Sequence, residues 1–321
     1  MYYSRLLLFV TIFFVIFNIS SNSFAGKVYL SLVTGSIGGT YYPIGNAISN
    51  VINRNISEVY VITETGQASV ANCLLLGRGE AEMAFAQNDV VNWAYNGLYL
   101  FKKPFTNIRV FASLYPEIVH IVTLKSSEIK NIYGLKGKRV AVGEIGSGTE
   151  INVRLILEEV GLSYKDMEVN YLESSLAAQR MKDGKLDAFF YTVGYPAPAI
   201  EDIAATKEIR LLSLSEELIK KLEKKHAWFV RNTIPARTYK GQDEEVKTLS
   251  VMAMWIGLST IPSDLVYKMV KVVFDSLGEI GYVHPRAKFI SLDLALKGVS
   301  TPLHEGAEAF YRERGLLQQT R

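Results

Sequence analysis

Apolar and polar residues follow two different periods along this chain, and the two periods alternate. Val28–Val33 alternates residue by residue, as a half-buried β-strand does. The apolar residues after position 43 fall instead on one face of a helix: Ile44, Ala47, Ile48, Val51 and Ile52. Between the strand pattern and the helix pattern lies Thr34–Pro43, with the sequence TGSIGGTYYP. The pattern therefore predicts a strand, a glycine loop and a helix in succession.

The glycine loop combines features that can bind an anion and that an ordinary turn does not require. Pro43 suits the first turn of a helix, where no backbone N–H is required. Glycines can adopt positive φ and let a ligand approach the backbone closely. The free N–H groups and partial positive charge at a helix start favour a carboxylate or phosphate. An ordinary strand-to-helix turn remains the alternative on this segment alone.

The same alternation continues downstream and contains a second loop of this kind, Gly143–Glu150 (GEIGSGTE). Ser147 and Glu150 have the spacing of a capping box at the start of the helix that follows. Further strands are predicted at Val59–Thr63, Ala81–Ala86, Val110–Tyr115, Val119–Thr123, Arg139–Val142, Val169–Leu172, Asp187–Val193, Ile209–Leu214 and Thr248–Gly257. Amphipathic helices are expected at Glu216–Lys225 and Leu265–Ile280, the second capped by Ser263 and Asp264.

Two sets of strand–helix units predict an α/β protein with two lobes. In open α/β sheets, ligands bind beyond the carboxyl ends of the strands. Both glycine loops lie at such ends, as do the polar turns Thr65–Gln67 and Gln87–Asp89. A cleft between the lobes would let both loops face one ligand.

The first residues read as an export signal and not as part of the fold. Arg5 precedes an apolar run, and Ser23–Ala25 fits a small-x-small cleavage site. We therefore expect a signal peptide over residues 1–25, cleaved after Ala25, and a periplasmic location. An uncleaved membrane anchor is the alternative, although the run is short for a membrane span. Removing the signal leaves 34 basic and 32 acidic residues, which gives no reason to expect nucleic acid as a partner.

Signatures of catalysis, metals and cofactors do not emerge from the sequence. The four histidines are scattered, and there is no H-E-x-x-H, G-x-S-x-G or P-loop pattern. Neither glycine loop has the spacing of a dinucleotide fingerprint, since Ile151 stands where the third glycine of the second loop should be. Cys73 is the only cysteine, and both it and His120 lie in apolar runs typical of a core. We therefore predict no catalytic residue, no metal site and no cofactor.

Several segments together resemble one family of receptors. They occur in order through nearly the whole mature chain: Thr34–Pro43, Gln87–Asp89, Tyr95–Gly97, Leu135–Val140, Gly146–Glu150, Asp187–Phe190, Pro196–Ile200, Tyr239–Asp243, Leu265–Tyr267, His284–Pro285 and Pro302–His304. The sequence in this respect resembles the solute receptors of tripartite ATP-independent periplasmic (TRAP) transporters, in the TAXI subgroup.

This resemblance implies a two-lobed periplasmic-binding-protein fold of type II-like form, with discontinuous lobes and a ligand cleft between them. Lobe one is expected to comprise residues 26–116 and 230–321, and lobe two residues 117–229. Such receptors capture small organic anions or amino acids, such as glutamate, glutamine or 2-oxoglutarate. They deliver them to membrane-embedded TRAP permease subunits driven by an ion gradient. A receptor for a membrane sensor, or an exported enzyme on the same fold, remains an alternative.

The predicted ligand-binding residues come from both lobes. They are Gly38, Gly39, Thr40, Tyr41, Gln67, Ser69, Gln87, Asp89, Ser147, Gly148, Thr149, Tyr191 and Gly194. Ser147, Gly148 and Thr149 are expected to hold a carboxylate at a helix start. Asp89 has two interpretations, a partner for a ligand amine or a helix cap. Gln67 stands where many relatives of the resembled family carry glycine or a small residue, and Tyr191–Tyr195 has its own side chains in the wall of lobe two. The sequence therefore does not name the solute.

Overall fold

The computed structural model describes residues 27–67 and 69–318, so the predicted signal peptide lies outside the described residues. The strands are β1 Val28–Val33, β2 Val59–Glu64, β3 Met83–Gln87, β4 Ile108–Leu124, β5 Arg139–Ala141, β6 Glu168–Asn170, β7 Ala188–Val193, β8 Ile209–Leu211, β9 Val230–Ile234 and β10 Val246–Leu258. The α-helices are α1 Tyr41–Asn55, α2 Ser69–Arg78, α3 Asn88–Asn96, α4 Gly148–Glu159, α5 Ser174–Lys182, α6 Pro198–Thr206, α7 Glu216–Lys225, α8 Ser263–Asp275, α9 Leu277–Ile280 and α10 Glu305–Glu313.

These strands join in one continuous sheet that links two α/β halves. The order is β2-β1-β3-β10-β4-β7-β5-β6, with β8 on β4 and β9 on β10. The pairs among β1, β2 and β3, and among β5, β6 and β7, are parallel, whereas β10 and β4 run antiparallel to their neighbours. We call the side containing β1–β3 lobe one and the side containing β5–β8 lobe two. The α/β fold predicted from the sequence is confirmed.

The long strands β4 and β10 pass from one lobe to the other. The sequence predicted two strands, Val110–Tyr115 and Val119–Thr123, but the chain forms the single strand β4. Pro116 cannot donate to a ladder, which suggested a break. It lies opposite Met252, and the extra residues at the two register shifts of this pairing, Leu114 and Phe111, belong to β4, so the ladder continues past Pro116. The first predicted crossing, near residues 114–119, therefore lies in the middle of one continuous strand.

The start and end of α8 also differ from the prediction. The helix ends at Asp275, and the short α9 follows it instead of one helix reaching Ile280. Pro262 occupies the N-cap position in extended geometry, and no side chain caps the helix. Asp264 lies inside the first turn and pairs with Lys268 one turn later, at 3.7 Å. Ser263 is thus the first residue of the helix, and its hydroxyl donates to the Glu305 carboxylate at 3.0 Å instead of capping.

Among the described residues, apolar side chains form a core behind each lobe and a third cluster that contains residues of both, such as Trp93 and Ile156. Phe85, Phe111 and Trp255 belong to the lobe-one core, while Phe189 and Ile200 belong to the lobe-two core. Three residues beyond the predicted boundary at residue 230 also pack into the lobe-two core: Ile234, Tyr239 and Val246. We therefore propose that the return to lobe one occurs within β10. The exact division of the chain between lobes stays a proposal.

Two sequence predictions about the interior are confirmed. Cys73 is fully buried in the core. His120 is buried in β4, with Nδ1 at 2.8 Å from the Ile118 carbonyl and Nε2 at 3.0 Å from Tyr239 Oη. Burial lowers the pKa of His120 to about 4, so the ring is neutral and structural. Across the described part of the chain, no helix combines the length and apolar character needed to cross a membrane.

Candidate functional site

A cavity of about 70 Å³ lies between the two lobes. Its lining residues come from the strand ends and helix starts of both: Gly35, Ser36, Gly39, Thr40, Tyr41, Ser69, Gln87, Glu117, Gly143, Glu144, Ser147, Gly148, Thr149, Leu172, Glu173, Ser174, Ala177, Phe189, Phe190, Tyr191, Thr192 and Val193. A single water requires roughly 10–15 Å³ by this measure. The space is therefore suited to a small solute and is too small for a nucleotide.

The structure brings nine of the thirteen sequence-predicted residues to this cavity. They are Gly39, Thr40, Tyr41, Ser69, Gln87, Ser147, Gly148, Thr149 and Tyr191. The other four, Gly38, Gln67, Asp89 and Gly194, do not line it. That any of the nine contacts a ligand stays a prediction.

The lobe-two glycine loop presents the start of α4 to the cavity. Gly143 and Gly146 have φ of +90° and +85°, which only glycine adopts without strain. Ser147 is the N-cap, and its Oγ accepts the Glu150 N–H at 3.2 Å. The reciprocal bond of a full capping box is not formed, because the Glu150 carboxylate binds Arg154 and Tyr164 instead. Among the described residues, the N–H groups of Gly148 and Thr149 have no acceptor and remain available to a ligand.

The hydroxyl groups in this loop are already partly used. Thr149 Oγ1 accepts the Thr192 N–H from β7 at 3.0 Å. Ser147 and Thr149 can each still donate their hydroxyl proton, since both bonds above use the oxygen as acceptor. The helix start therefore offers neutral donors, without a cationic side chain, to an anionic group.

The lobe-one glycine loop has a different geometry from the one expected. Its glycines have no positive φ, so they are not needed for an unusual backbone conformation. They are needed for close approach between the lobes. A Cβ on Gly38 would lie 2.6 Å from Ser175 Oγ, and one on Gly39 would lie 2.9 Å from Tyr191 Oη. Thr40, at the start of α1, reaches across to the Gly194 carbonyl at 3.4 Å.

Glu117 is a buried carboxyl in the lining that the sequence analysis did not single out. It belongs to β4, is 3% exposed, and its Oε2 accepts the hydroxyl of Tyr41 at 2.6 Å. Burial raises the pKa of Glu117 to about 8, and the charge of Asp89 adds to the rise, although the Tyr41 hydrogen bond opposes it. A sequence signal was present, because Glu117 is an acid inside the long apolar run of β4. Its position at the predicted boundary between residues 116 and 117 gave no reason to place it in the site.

Two further acids, Glu144 and Glu173, line the cavity, and no Lys, Arg or His of the described ranges does. Glu173 is partly compensated, because its carboxylate accepts the N–H groups of Ser175 and Leu176 at the start of α5. Burial and the charge of Glu173 raise the pKa of Glu144. The lining thus combines acidic side chains with helix starts.

The predicted residues outside the cavity have other contacts. Gln67 is exposed. Asp89 is not the helix cap, because Gln87 is the N-cap of α3. It lies buried in the first turn, where its carboxylate accepts the Val90 N–H at 2.8 Å and Asn152 Nδ2 at 3.0 Å. Burial raises the pKa of Asp89 to about 7.

Direct contacts hold the two lobes against each other around the cavity. The Gly146 carbonyl of lobe two accepts the N–H groups of Val70 and Ala71, at 3.0 and 3.3 Å, and so completes the start of α2. Arg286, 1% exposed, stacks 3.4 Å from the ring centroid of Tyr195 and donates Nε to its carbonyl at 2.9 Å. With the Asp89–Asn152 bond, these contacts describe a cleft whose walls touch.

The chain belongs to the NMT1-like family, which it matches over residues 32–315. Solved structures of distant proteins share its fold. PhnD1 from Prochlorococcus marinus, solved in complex with methylphosphonate, is 12% identical, with 90% of this chain and 99% of that chain covered and a TM-score of 0.54. The alkanesulfonate-binding protein SsuA from Xanthomonas axonopodis pv. citri, bound to MOPS, is also 12% identical, with 92% and 96% covered and a TM-score of 0.51.

A third similar structure is a putative L-cystine ABC transporter from Listeria monocytogenes. It is 15% identical, with 84% of this chain and 98% of that chain covered and a TM-score of 0.50. At such low identity these likenesses establish the fold alone. The fold is that of two-lobed periplasmic binding proteins.

Proposed function

We propose that this protein is an extracytoplasmic solute receptor, without enzymatic activity, that captures a small carboxylate-bearing solute of the glutamate, glutamine or 2-oxoglutarate type. The observation that carries the proposal is the start of α4, where the N–H groups of Gly148 and Thr149 have no acceptor among the described residues and adjoin a small cavity between two lobes. Such a helix start stabilises an anion through backbone donors and the helix dipole. Nine sequence-predicted residues around the same cavity support this reading.

Capture in this proposal depends on closure of the lobes around the solute. The Gly146 carbonyl at the start of α2 and the stacking of Arg286 on Tyr195 are contacts that opening would break. A solute that binds both lobes stabilises the closed form over the open one, and this difference in affinity drives the change. A membrane partner could then recognise the closed shape.

The proposed partner is a TRAP permease, on the strength of the TAXI resemblance. The fold is equally suited to other importers, and one similar structure is named as a putative ABC transporter. Cross-linking of the ligand-saturated receptor in membranes of its source cell, followed by mass spectrometry, tests the partner. Capture of permease subunits without a nucleotide-binding ATPase is expected; capture of an ATPase-coupled permease would overturn this part of the proposal.

Thermal melting against a solute panel tests the proposed ligand class. Amino acids, 2-oxo acids and dicarboxylates are compared with methylphosphonate and an alkanesulfonate. A true ligand at about 100 times its Kd stabilises the folded protein by about 2.7 kcal/mol. We expect this only from carboxylates, and stabilisation by phosphonate or sulfonate alone would contradict the proposal.

A double variant with a matched control locates the anion site. Ser147→Ala with Thr149→Val removes both hydroxyl donors and should weaken carboxylate binding on the order of tenfold or more, about 1.4 kcal/mol or above. Ser215→Ala is the control, because Ser215 caps α7 through the same bond to the third N–H, from Leu218. Each lost cap costs about 1 kcal/mol of stability. The affinity for the carboxylate should fall in the double variant and stay unchanged in Ser215→Ala. Wild-type affinity in the double variant would disprove the anion site.

A further inference from the structure

The acidic lining of the cavity has no opposite charge to balance it. Glu117, Glu144 and Glu173 face the same small space, and no basic side chain of the described residues lines it. Glu173 caps α5, and Glu144 is half-buried, so both have partial compensation from backbone donors or water. Glu117 has less. It is almost fully buried, and Tyr41 is the only group of the described chain that donates a hydrogen bond to it.

A buried carboxyl with one neutral donor is an incomplete arrangement. Its Oε2 is bonded to Tyr41, whereas Oε1 receives no hydrogen bond from any residue that the structure describes. A carboxyl that is buried without a charged partner keeps its proton, because burying the unpaired charge is costly. A ligand that brought a positive charge would complete this arrangement.

Gln87 supplies a second and independent observation at the same cavity. Its side chain is 3% exposed and lines the cavity, yet Oε1 is buried without a hydrogen-bond partner in the described chain. It is packed against the start of α4, since a Cβ on Gly148 would lie 2.3 Å from Gln87 Oε1. Buried polar atoms in native proteins are nearly always bonded, so this amide end, which presents its oxygen or its NH2 by rotation, points to a polar group on the solute.

We propose that Glu117 and Gln87 bind a protonated amino group of the solute, so that the receptor selects amino acids over 2-oxo acids and other plain carboxylates. This inference rests on the proposed function, in which the solute's carboxylate binds the start of α4. The two charges of an amino acid would then meet two different features of one cavity: donors from lobe two and acceptors from β3 and β4. A 2-oxo acid would satisfy the first feature only.

Proton exchange gives this arrangement a measurable signature. With its pKa raised to about 8 by burial between the closed lobes, Glu117 is mostly protonated at neutral pH as long as no opposite charge lies beside it. An adjacent ammonium group favours the carboxylate, so binding an amino acid releases a proton, and affinity should rise with pH up to the pKa of the free protein. A 2-oxo acid brings only negative charge and is bound best while Glu117 keeps its proton. Its affinity should stay level and then fall as pH rises.

Other titratable groups face Glu117 from the surrounding elements. Asp89 approaches from α3, Tyr41 from α1 and Tyr191 from β7, while Tyr115 precedes it on β4. The three tyrosines have pKa values raised by burial and remain neutral across the physiological range. Glu144 and Glu173 line the same cavity. Asp89, with a pKa of about 7, is the carboxyl whose charge contributes to the raised pKa of Glu117. It therefore provides the necessary control.

Calorimetry with matched solute pairs tests the inference. L-glutamate with 2-oxoglutarate, L-alanine with pyruvate, and L-leucine with its 2-oxo acid differ within each pair only at the amino or oxo group. Between about pH 6 and pH 8, wild-type affinity for the preferred amino acid should rise on the order of 10- to 50-fold, and it should not rise for its oxo partner. Equal slopes for both members, or a stronger oxo acid, would overturn the inference.

Two variants sharpen the result. Glu117→Gln should weaken amino-acid binding on the order of 30-fold or more, remove the pH dependence and leave the oxo acid unaffected. Asp89→Asn removes a buried carboxyl that lies outside the cavity, and the preference for the amino acid should survive. If Glu117→Gln does not fold, the wild-type pH slopes still decide. If Asp89→Asn loses the preference for the amino acid while Glu117→Gln keeps it, the preference depends on Asp89 and not on Glu117, and the inference is overturned.

The outcomes separate this inference from the proposed function. If carboxylates bind but amino and oxo acids bind alike, the amino-group site is wrong and the carboxylate receptor stands. If amines without a carboxylate, such as putrescine, bind and carboxylates do not, the carboxylate site is wrong and the amino-group site stands. If no member of any pair binds, the inference is overturned.

Discussion

The two glycine loops have nearly the same sequence pattern but use glycine for different reasons. In the lobe-two loop, Gly143 and Gly146 adopt positive φ and build a helix start with open N–H groups. In the lobe-one loop, the glycines have ordinary backbone angles and provide space for Ser175 and Tyr191 of the opposite lobe. We therefore propose that the first loop binds the solute, whereas the second provides the space in which the lobes come together.

This difference changes how the site is understood. Two equivalent anion-binding loops would have needed two negative groups or one group shared between them. The start of α4 offers one site for an anionic group, and the buried acid Glu117 lies on the strand that passes between the lobes. We therefore infer that the cavity suits a solute with both a negative and a positive group. The comparison also predicts that equivalent substitutions in the two loops affect different properties.

The largest effect is expected from Gly143→Ala in the lobe-two loop. The φ of +90° strains any other residue, and the new Cβ would lie 2.8 Å from Ser147 Oγ and 3.0 Å from Thr149 Cβ. We expect a loss of roughly 1–3 kcal/mol in the free energy of unfolding, measured by denaturant titration, together with weaker ligand binding. Gly137→Ala is the control, since Gly137 shares a positive φ of +72° but has nothing within 4 Å of a new Cβ. Equal losses in the two variants would mean that crowding of the helix start contributes nothing.

A smaller and different effect is expected from Gly39→Ala in the lobe-one loop. Its Cβ would crowd Tyr191 Oη only when the lobes are together, so opening relieves the strain. Stability without ligand should change by less than about 0.5 kcal/mol. Ligand affinity, measured by calorimetry, should fall by up to about tenfold, or about 1.4 kcal/mol. Gly278→Ala, in open space on α9, should change neither property. A drop in stability without a change in affinity would remove the distinction between the loops.

Much of the fold was accessible from the sequence because it depends on local periodicity. Alternation located nearly every strand, and the helical spacing after Pro43 located α1. The continuity of β4 through Pro116 was not accessible. It depends on pairing with β10, which is more than a hundred residues away in the chain. The sheet contacts that decide such pairings are long-range and leave no local pattern.

The residues of the candidate site also fall into those that the local sequence predicts and those that it does not. Glycines and hydroxyls at strand ends could be predicted to meet in a cleft, because the carboxyl ends of strands converge in α/β folds. That Asp89 turns away to Asn152, and that Glu117 turns in toward Tyr41, could not, since both depend on how the lobes pack. The local sign that Glu117 belongs to the site is that it is an acid within an apolar strand.

Native mass spectrometry of the exported protein, purified without added ligand and then denatured to release its solute, tests the central claim most directly. A receptor with a small cavity between touching lobes should retain one solute per chain, and that solute should carry a carboxylate. Recovery of a bound phosphonate, sulfonate or uncharged molecule, or a ligand-free protein that no carboxylate stabilises, would contradict it.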